Sequence, residues 1–169
     1  MKEPRGLRDE VEDRTKGRLA EVIVEQMFQA AGYMILRYGY ESIAQNLVQG
    51  SDWHTISKDL EVVESAPDFI VKESNRFLYF LEVKYRTRFD KKELEEKLKK
   101  TEKHWKRTFV IVVTPEEPVF RMMYQDNGGW KMVDLEKFRR ANKIPKTLIE
   151  IFKPIVKRAY YGYTSNQKP

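Results

Sequence analysis

Residues 67–85 read Pro67-Asp68-Phe69-Ile70-Val71-Lys72-Glu73-Ser74-Asn75-Arg76-Phe77-Leu78-Tyr79-Phe80-Leu81-Glu82-Val83-Lys84-Tyr85. Phe77 to Tyr85 is apolar on both faces of an extended chain, and a strand of that kind lies inside its sheet. Asp68 to Val71 reads as a shorter strand and Lys72 to Arg76 as a polar turn, so a hairpin turning near Ser74-Asn75 is expected. Side chains two apart on a strand share a face, which puts Glu82 and Lys84 together inside the apolar run. Burying an acid and a lysine is costly unless they pair or hold a metal. The hairpin register sets Asp68 opposite residue 81, within one position of Glu82. Two converging carboxylates repel unless a cation separates them, and an oxygen-only donor set suits Mg²⁺ or Mn²⁺.

Each of these residues also has a plain structural reading. Asp68 follows Pro67 and can simply start a strand, while Glu82 and Lys84 can neutralise each other. Glu95-Glu96-Lys97 repeats the Glu-x-Lys spacing in a charged, solvated helix, so the spacing alone is weak. The convergence of Asp68 with Glu82 favours chemistry.

Upstream, Leu19, Val22, Ile23, Met27 and Phe28 recur at helical spacing and predict a helix over about 13–31, stopped by Gly32. Glu21 sits one turn after Gly17, at the edge of the buried stripe, where it can reach the sheet. Tyr33 to Tyr38 predicts a strand. Residues 39–66 carry no decisive pattern beyond a turn at Gly50-Ser51-Asp52, and their role is not assigned. Downstream, Asp90 caps a charged helix to about Trp105, with Lys103, Lys106 and Arg107 near its end. Phe109 to Thr114 is an apolar strand bounded by Pro115 and Pro118. Val119 to Tyr124 and Trp130 to Leu135 form a hairpin around Asp126-Asn127-Gly128-Gly129. Helices over about 135–141 and 146–161 close the chain. The expected architecture is α/β: one mixed sheet of about four to six strands flanked by helices, in a single domain over 1–169 with its core at about 13–114 and a C-terminal hairpin and basic helices at 115–169.

Composition narrows the chemistry. The chain has 169 residues and no cysteine, which removes disulfides, thiolate catalysis and cysteine-bound zinc. His54 and His104 are isolated, and no Gly-rich phosphate loop is present. Apolar runs are too short to span a bilayer and no secretory leader is apparent, so a cytoplasmic protein without membrane partners is expected. Residues 139–169 hold eight of the 32 Lys and Arg against one of the 26 acids, Glu150. A basic segment on a near-neutral body suits a polyanion. Lys153, Lys157 and Arg158, with Arg86 and Arg88 after the long strand, are the candidate nucleic-acid contacts, and Tyr160, Tyr161 and Tyr163 could stack on bases. The alternative for the last helix is amphipathic packing of Leu148, Ile149, Ile151, Phe152, Ile155 and Val156.

Pro67-Asp68, thirteen residues, then Glu82-Val83-Lys84 resembles the signature of the PD-(D/E)XK nuclease superfamily. Gly17-x-x-x-Glu21 resembles the first-helix motif of its archaeal Holliday-junction-resolvase-like branch, and Gly32-Tyr33 with a strand ending at Arg37 is similar to the segment that follows. The likeness covers about 16–86 and extends loosely to Thr114. Residues 39–66 are longer than in the minimal resolvases, and the helix after Lys84 lacks the Gln-x-x-x-Tyr motif of the RecB-like branch. The resemblance implies a restriction-endonuclease-like αβββαβ core with extra C-terminal helices, and an endonuclease acting on nucleic acid, with DNA expected. It implies that Asp68, Glu82 and the Val83 carbonyl hold Mg²⁺ or Mn²⁺, that Glu21 assists, that Lys84 orients water or stabilises charge, and that products carry 5′ phosphates. Paired cuts would need a homodimer. The competing reading is a nucleic-acid-binding or interaction module that keeps the fold and does not cleave.

Overall fold

The computed structural model describes residues 7–38, 62, 65–74, 77–127, 129–138 and 143–161. In chain order the elements are α1 (Leu7–Ala30), β1 (Met34–Arg37), β2 (Phe69–Ser74), β3 (Phe77–Tyr85), α2 (Lys91–His104), β4 (Thr108–Val113), β5 (Phe120–Asp126), β6 (Gly129–Asp134), a 3₁₀ turn (Leu135–Lys137) and α3 (Lys146–Tyr161). The six strands form one mixed sheet in the order β1-β2-β3-β4-β5-β6. Only β3 and β4 run parallel, because α2 carries the chain back across the sheet between them. The expected α/β class with one mixed, helix-flanked sheet is what the chain forms.

Period-2 alternation assigns the two faces of the sheet. Tyr79, Leu81 and Val83 of β3, with Phe109, Ile111 and Val113 of β4, share a core with Val24, Met27 and Phe28 of α1 and Ile149, Val156 and Tyr160 of α3. Val110 and Val112 of β4 point the other way, to Leu94 and Leu98 of α2. The result is three layers: α1 and α3, the sheet, and α2. Leu81 is fully buried in this arrangement, and its truncation to alanine should cost about 2–5 kcal/mol.

Several ends follow local chemistry. Gly32, at φ +81°, closes α1 with hydrogen bonds from Gly32 N–H to the Gln29 carbonyl (2.9 Å) and from Tyr33 N–H to the Phe28 carbonyl (3.0 Å), the pairing that satisfies the last helical carbonyls. The side chain of Asp90 caps α2 by accepting from Glu93 N–H at 3.1 Å.

Other elements depart from the sequence reading. β2 continues through Lys72 to Ser74 instead of turning at Lys72, with an irregularity between Lys72 and Ser74 in its pairing to β3. Where a helix is expected over 135–141, the described residues form a single 3₁₀ turn, Leu135–Lys137, ended at an extended Phe138, and residues 139–142 lie outside the described residues. Most of the unassigned stretch at 39–66 lies outside them too. Val22, Ile151 and Ile155, expected in the core, are exposed, so the buried stripes of α1 and α3 are narrower than their apolar content. Among the described residues no helix is long and apolar enough to cross a membrane.

Candidate active site

The β2–β3 ladder ends where Phe69 pairs with Leu81. Asp68, one residue further, stands level with Glu82, one position from the expected register. Its side chain takes over where the ladder stops: Oδ2 accepts from the Val83 backbone N–H at 2.7 Å. Glu82 is buried, and on β4 its partner is Val110, on the α2 face of the sheet. Its Oε1 contacts the ammonium of Lys84, while Oε2 is buried with no hydrogen-bond partner among the described residues. A buried carboxylate oxygen without a donor is costly, and here it lies beside a second carboxylate.

The electrostatics agree with that crowding. Burial, and then the charge of Glu82, push the Asp68 carboxyl well above its ordinary range, against the opposing pull of Lys84 and the Val83 N–H. Burial by itself lowers the pKa of Lys84, but Glu82 and Asp68 outweigh it and hold the ammonium above the usual lysine value. Lys84 is therefore a persistent cation and a poor proton acceptor.

Helix α1 supplies Glu21 to the same place. Asp68 and Glu21 both line a cleft of about 540 Å³ at the end of the sheet where β2 begins and β3 finishes. The charge of Glu21 also contributes to raising Asp68. Arg37, at the end of β1, lies 3.4 Å from Glu21 and 2.6 Å from Glu25, which fixes the acidic face of the helix against the sheet. Gly17, one turn before Glu21, also lines the cleft. Glycine inside a helix costs about 1 kcal/mol relative to alanine.

The rim is basic. Arg86 and Arg88 line the cleft as the loop after β3 leaves the sheet, with Arg86 N–H held by the Val113 carbonyl at 3.0 Å. Three further cations belong to the lining: Arg14 and Arg18 of α1, which the sequence reading does not single out, and Lys97 of α2, which it places on a solvated helix. A signal existed for the first two: Arg14, Gly17, Arg18 and Glu21 form one stripe at helical spacing. Lys97, in the second Glu-x-Lys, is solvated as expected and bonds Glu93 at 2.5 Å, but it also borders the cleft.

The basic candidates of α3 are placed elsewhere. Lys153, Lys157 and Arg158 are not among the residues lining this cleft. Lys157 bonds Glu117 at 2.9 Å, and Lys153 lies 2.7 Å from Glu150 and 3.6 Å from Glu117. Tyr160 is buried: its ring stacks on Tyr85 at 4.0 Å between centroids and its hydroxyl donates to the Lys16 carbonyl at 2.7 Å. It ties α3 to α1 and β3 rather than presenting a face to a base. Tyr161 is exposed, and Tyr163 lies outside the described residues.

Among the described residues no three His, Asp or Glu side chains form a metal-holding group. The donors that do fit a hard cation are two carboxylates and a backbone carbonyl: Asp68, Glu82 with its unpartnered Oε2, and Val83. All are oxygens, and the two acids are held together at a cost that a bound cation would relieve. The chain matches no protein-family model and no curated protein.

Proposed function

We propose that this protein is a metal-dependent nuclease of the PD-(D/E)XK kind, with a restriction-endonuclease-like core, hydrolysing phosphodiester bonds of nucleic acid and of DNA first. The observation that carries the reading is the pairing of Asp68 with Glu82 at the parting of β2 and β3, with Glu82 Oε2 buried and unpartnered and Lys84 alongside. The spacing of Pro67-Asp68 and Glu82-Val83-Lys84, which resembles the superfamily signature, and the order α1-β1-β2-β3-α2-β4 support it.

In this reading Asp68, Glu82 and the carbonyl of Val83 would hold Mg²⁺ or Mn²⁺, and Glu21 would face it from α1. The ion supplies Lewis acidity, activating water and offsetting charge on the scissile phosphate. Lys84, kept protonated by its two acidic neighbours, orients the attacking water and stabilises negative charge that develops on the phosphate. Arg86 and Arg88 hold neighbouring phosphates and fix the strand in register. Water forms the new bond to phosphorus as the P–O3′ bond breaks, so the phosphate stays on the 5′ end of one product and the other ends in a 3′ hydroxyl. Paired cuts across a duplex would need two copies of the chain.

The test is a panel of branched, duplex, flapped and single-stranded DNA, with a matching RNA duplex, incubated with the protein in Mg²⁺, in Mn²⁺ and in EDTA. Cleavage of at least one substrate, dependent on the metal and leaving 5′ phosphates, is expected. Absence of cleavage across the whole panel in both metals would remove the nuclease reading and leave the non-cleaving module.

A further inference from the structure

Gly17 lies inside the 24-residue helix α1, and no contact among the described residues explains it. A Cβ built on Gly17 meets no atom of the described residues within 4 Å, and its φ is not in the left-handed region. Packing does not require glycine there, and helix propensity opposes it. The space above it is the cleft, which Gly17 lines together with Arg14, Arg18, Glu21, Asp68 and Lys84. The backbone at this point is also held firmly, because Tyr160 bonds the carbonyl of Lys16, the preceding residue, and stacks on Tyr85 at the end of β3. A bare patch of helix is thus presented at a fixed position, flanked by two arginines and one turn from the acids.

We infer that Gly17 is a substrate-approach position: the sugar-phosphate backbone of the nucleic acid lies directly on α1 there, with Arg14 and Arg18 engaging its phosphates on either side. This inference rests on the nuclease reading and adds to it a second contact surface, across the cleft from Arg86 and Arg88. The missing side chain lets the strand approach closely enough for the scissile phosphate to reach Asp68 and Glu82. Glycine allows such close backbone approach, and any Cβ would hold the strand off.

Stability and binding should part at this position, since a side chain at residue 17 helps the helix and obstructs the ligand. Gly17→Ala should raise the melting temperature by about 2–4 °C, the shift expected from relieving roughly the cost of a helical glycine in a chain of this size. It should weaken binding of a short labelled DNA duplex, measured in Ca²⁺ to prevent turnover, about tenfold. Gly17→Gln should weaken it further. Thr15→Ala, at an exposed α1 position outside the cleft lining, should leave binding as it is in the wild type. A matching RNA duplex shows whether the contact is to any phosphodiester strand or to deoxyribose strands alone. Weakened binding by Gly17→Ala on either duplex, in a protein at least as stable as wild type, supports the inference. Unchanged binding on both overturns it. A wild type that neither binds nor cuts nucleic acid removes the nuclease reading itself, a result read without any variant.

Discussion

Oδ2 of Asp68 accepts a 2.7 Å hydrogen bond from the backbone N–H of Val83, so the side chain of one strand's leading residue completes the edge that the β2–β3 ladder leaves open. The same bond sets the Asp68 carboxylate beside Glu82. A structural join and a crowded acidic pair are therefore one feature, and variants have to be chosen to separate them.

Asp68→Asn keeps an acceptor for the Val83 N–H and removes one charge. Glu82→Gln removes the other. Each should abolish metal-dependent cleavage. Without metal, Asp68→Asn should melt at or above the wild-type temperature because repulsion in the pair is relieved, whereas Glu82→Gln also takes the counter-ion from Lys84 and should melt no higher than wild type. Asp68→Ala is the wrong probe of chemistry, since it leaves the Val83 N–H without its partner at a cost of about 1–3 kcal/mol. Calorimetry and a nicking assay on the same preparations check both halves; large destabilisation of Asp68→Asn would make the pair structural.

Lys84→Ala should lower the rate at saturating substrate by about two to three orders of magnitude, the scale for losing one charge-stabilising donor, with affinity nearly unchanged. It should also reduce stability, because Glu82 loses its counter-ion. The matched control is Lys99→Ala, whose lysine pairs with Glu96 at 2.6 Å on an exposed part of α2 away from the cleft. Lys97 is unsuitable because it borders the cleft. Equal rates for the Lys84 and Lys99 variants would show that the Glu82-Val83-Lys84 motif is misassigned.

Salt dependence tells the two basic regions apart. Removing a cation that neutralises one phosphate should flatten the slope of log affinity against log salt by roughly 0.9 on duplex DNA. Replacing Arg86 and Arg88 with glutamine should flatten it. Replacing Lys153 and Lys157 should leave it close to wild type, because both are already engaged by Glu117 and Glu150. A flattened slope for the α3 pair alone would move the nucleic-acid path onto that helix.

Tyr160→Phe deletes the hydrogen bond to Lys16 and keeps the stack on Tyr85, so a loss of about 1 kcal/mol is expected from thermal or urea melts. Truncation after Ala159 removes the whole buried ring and should cost several times more. A truncated chain as stable as the full one would mean that α3 is not anchored through Tyr160.

Glu117 gives a pH signature. Its hydrogen bond with Lys157, with Lys153 also nearby, holds its carboxyl below the usual range. A folded-state pKa below the unfolded one contributes stability that is complete above the ordinary carboxylate range and is lost as pH falls through the lowered value. Glu117→Gln should therefore be less stable than wild type at neutral pH, by under about 1 kcal/mol for so exposed a pair. The difference should vanish in acid; a difference that persists there would assign Glu117 a role other than this ion pair.

Legibility in the sequence followed the range of the interactions. β3 was readable to its ends, because its nine residues are an unbroken apolar run apart from Glu82 and Lys84 and a polar stretch precedes them. The Asp68–Glu82 juxtaposition followed from hairpin register, within one position. Asp90 and Gly32 are local signals, and both act at the helix ends they mark. Tyr160 and the Glu117–Lys157 pair were not readable, because their partners lie 144 and 40 residues away. A tyrosine in a basic helix reads as surface until the stack on Tyr85 is known. The polar residues Lys72 to Ser74 concealed the end of β2, where pairing to β3 rather than apolar burial extends the strand. The arginines of α1 are not legible as cleft residues because a charged helix face reads as solvated without the cleft above it.

The most direct measurement is single-turnover cleavage of a labelled DNA substrate by wild type, Asp68→Asn and Glu82→Gln in excess, in Mg²⁺ and in EDTA, with binding of each protein measured in Ca²⁺. The wild type should release 5′-phosphorylated products in Mg²⁺ and none in EDTA, and the two variants should bind without cutting. Cleavage by the wild type that persists in EDTA, or variants that cut at the wild-type rate, would contradict a metal-dependent site at Asp68 and Glu82.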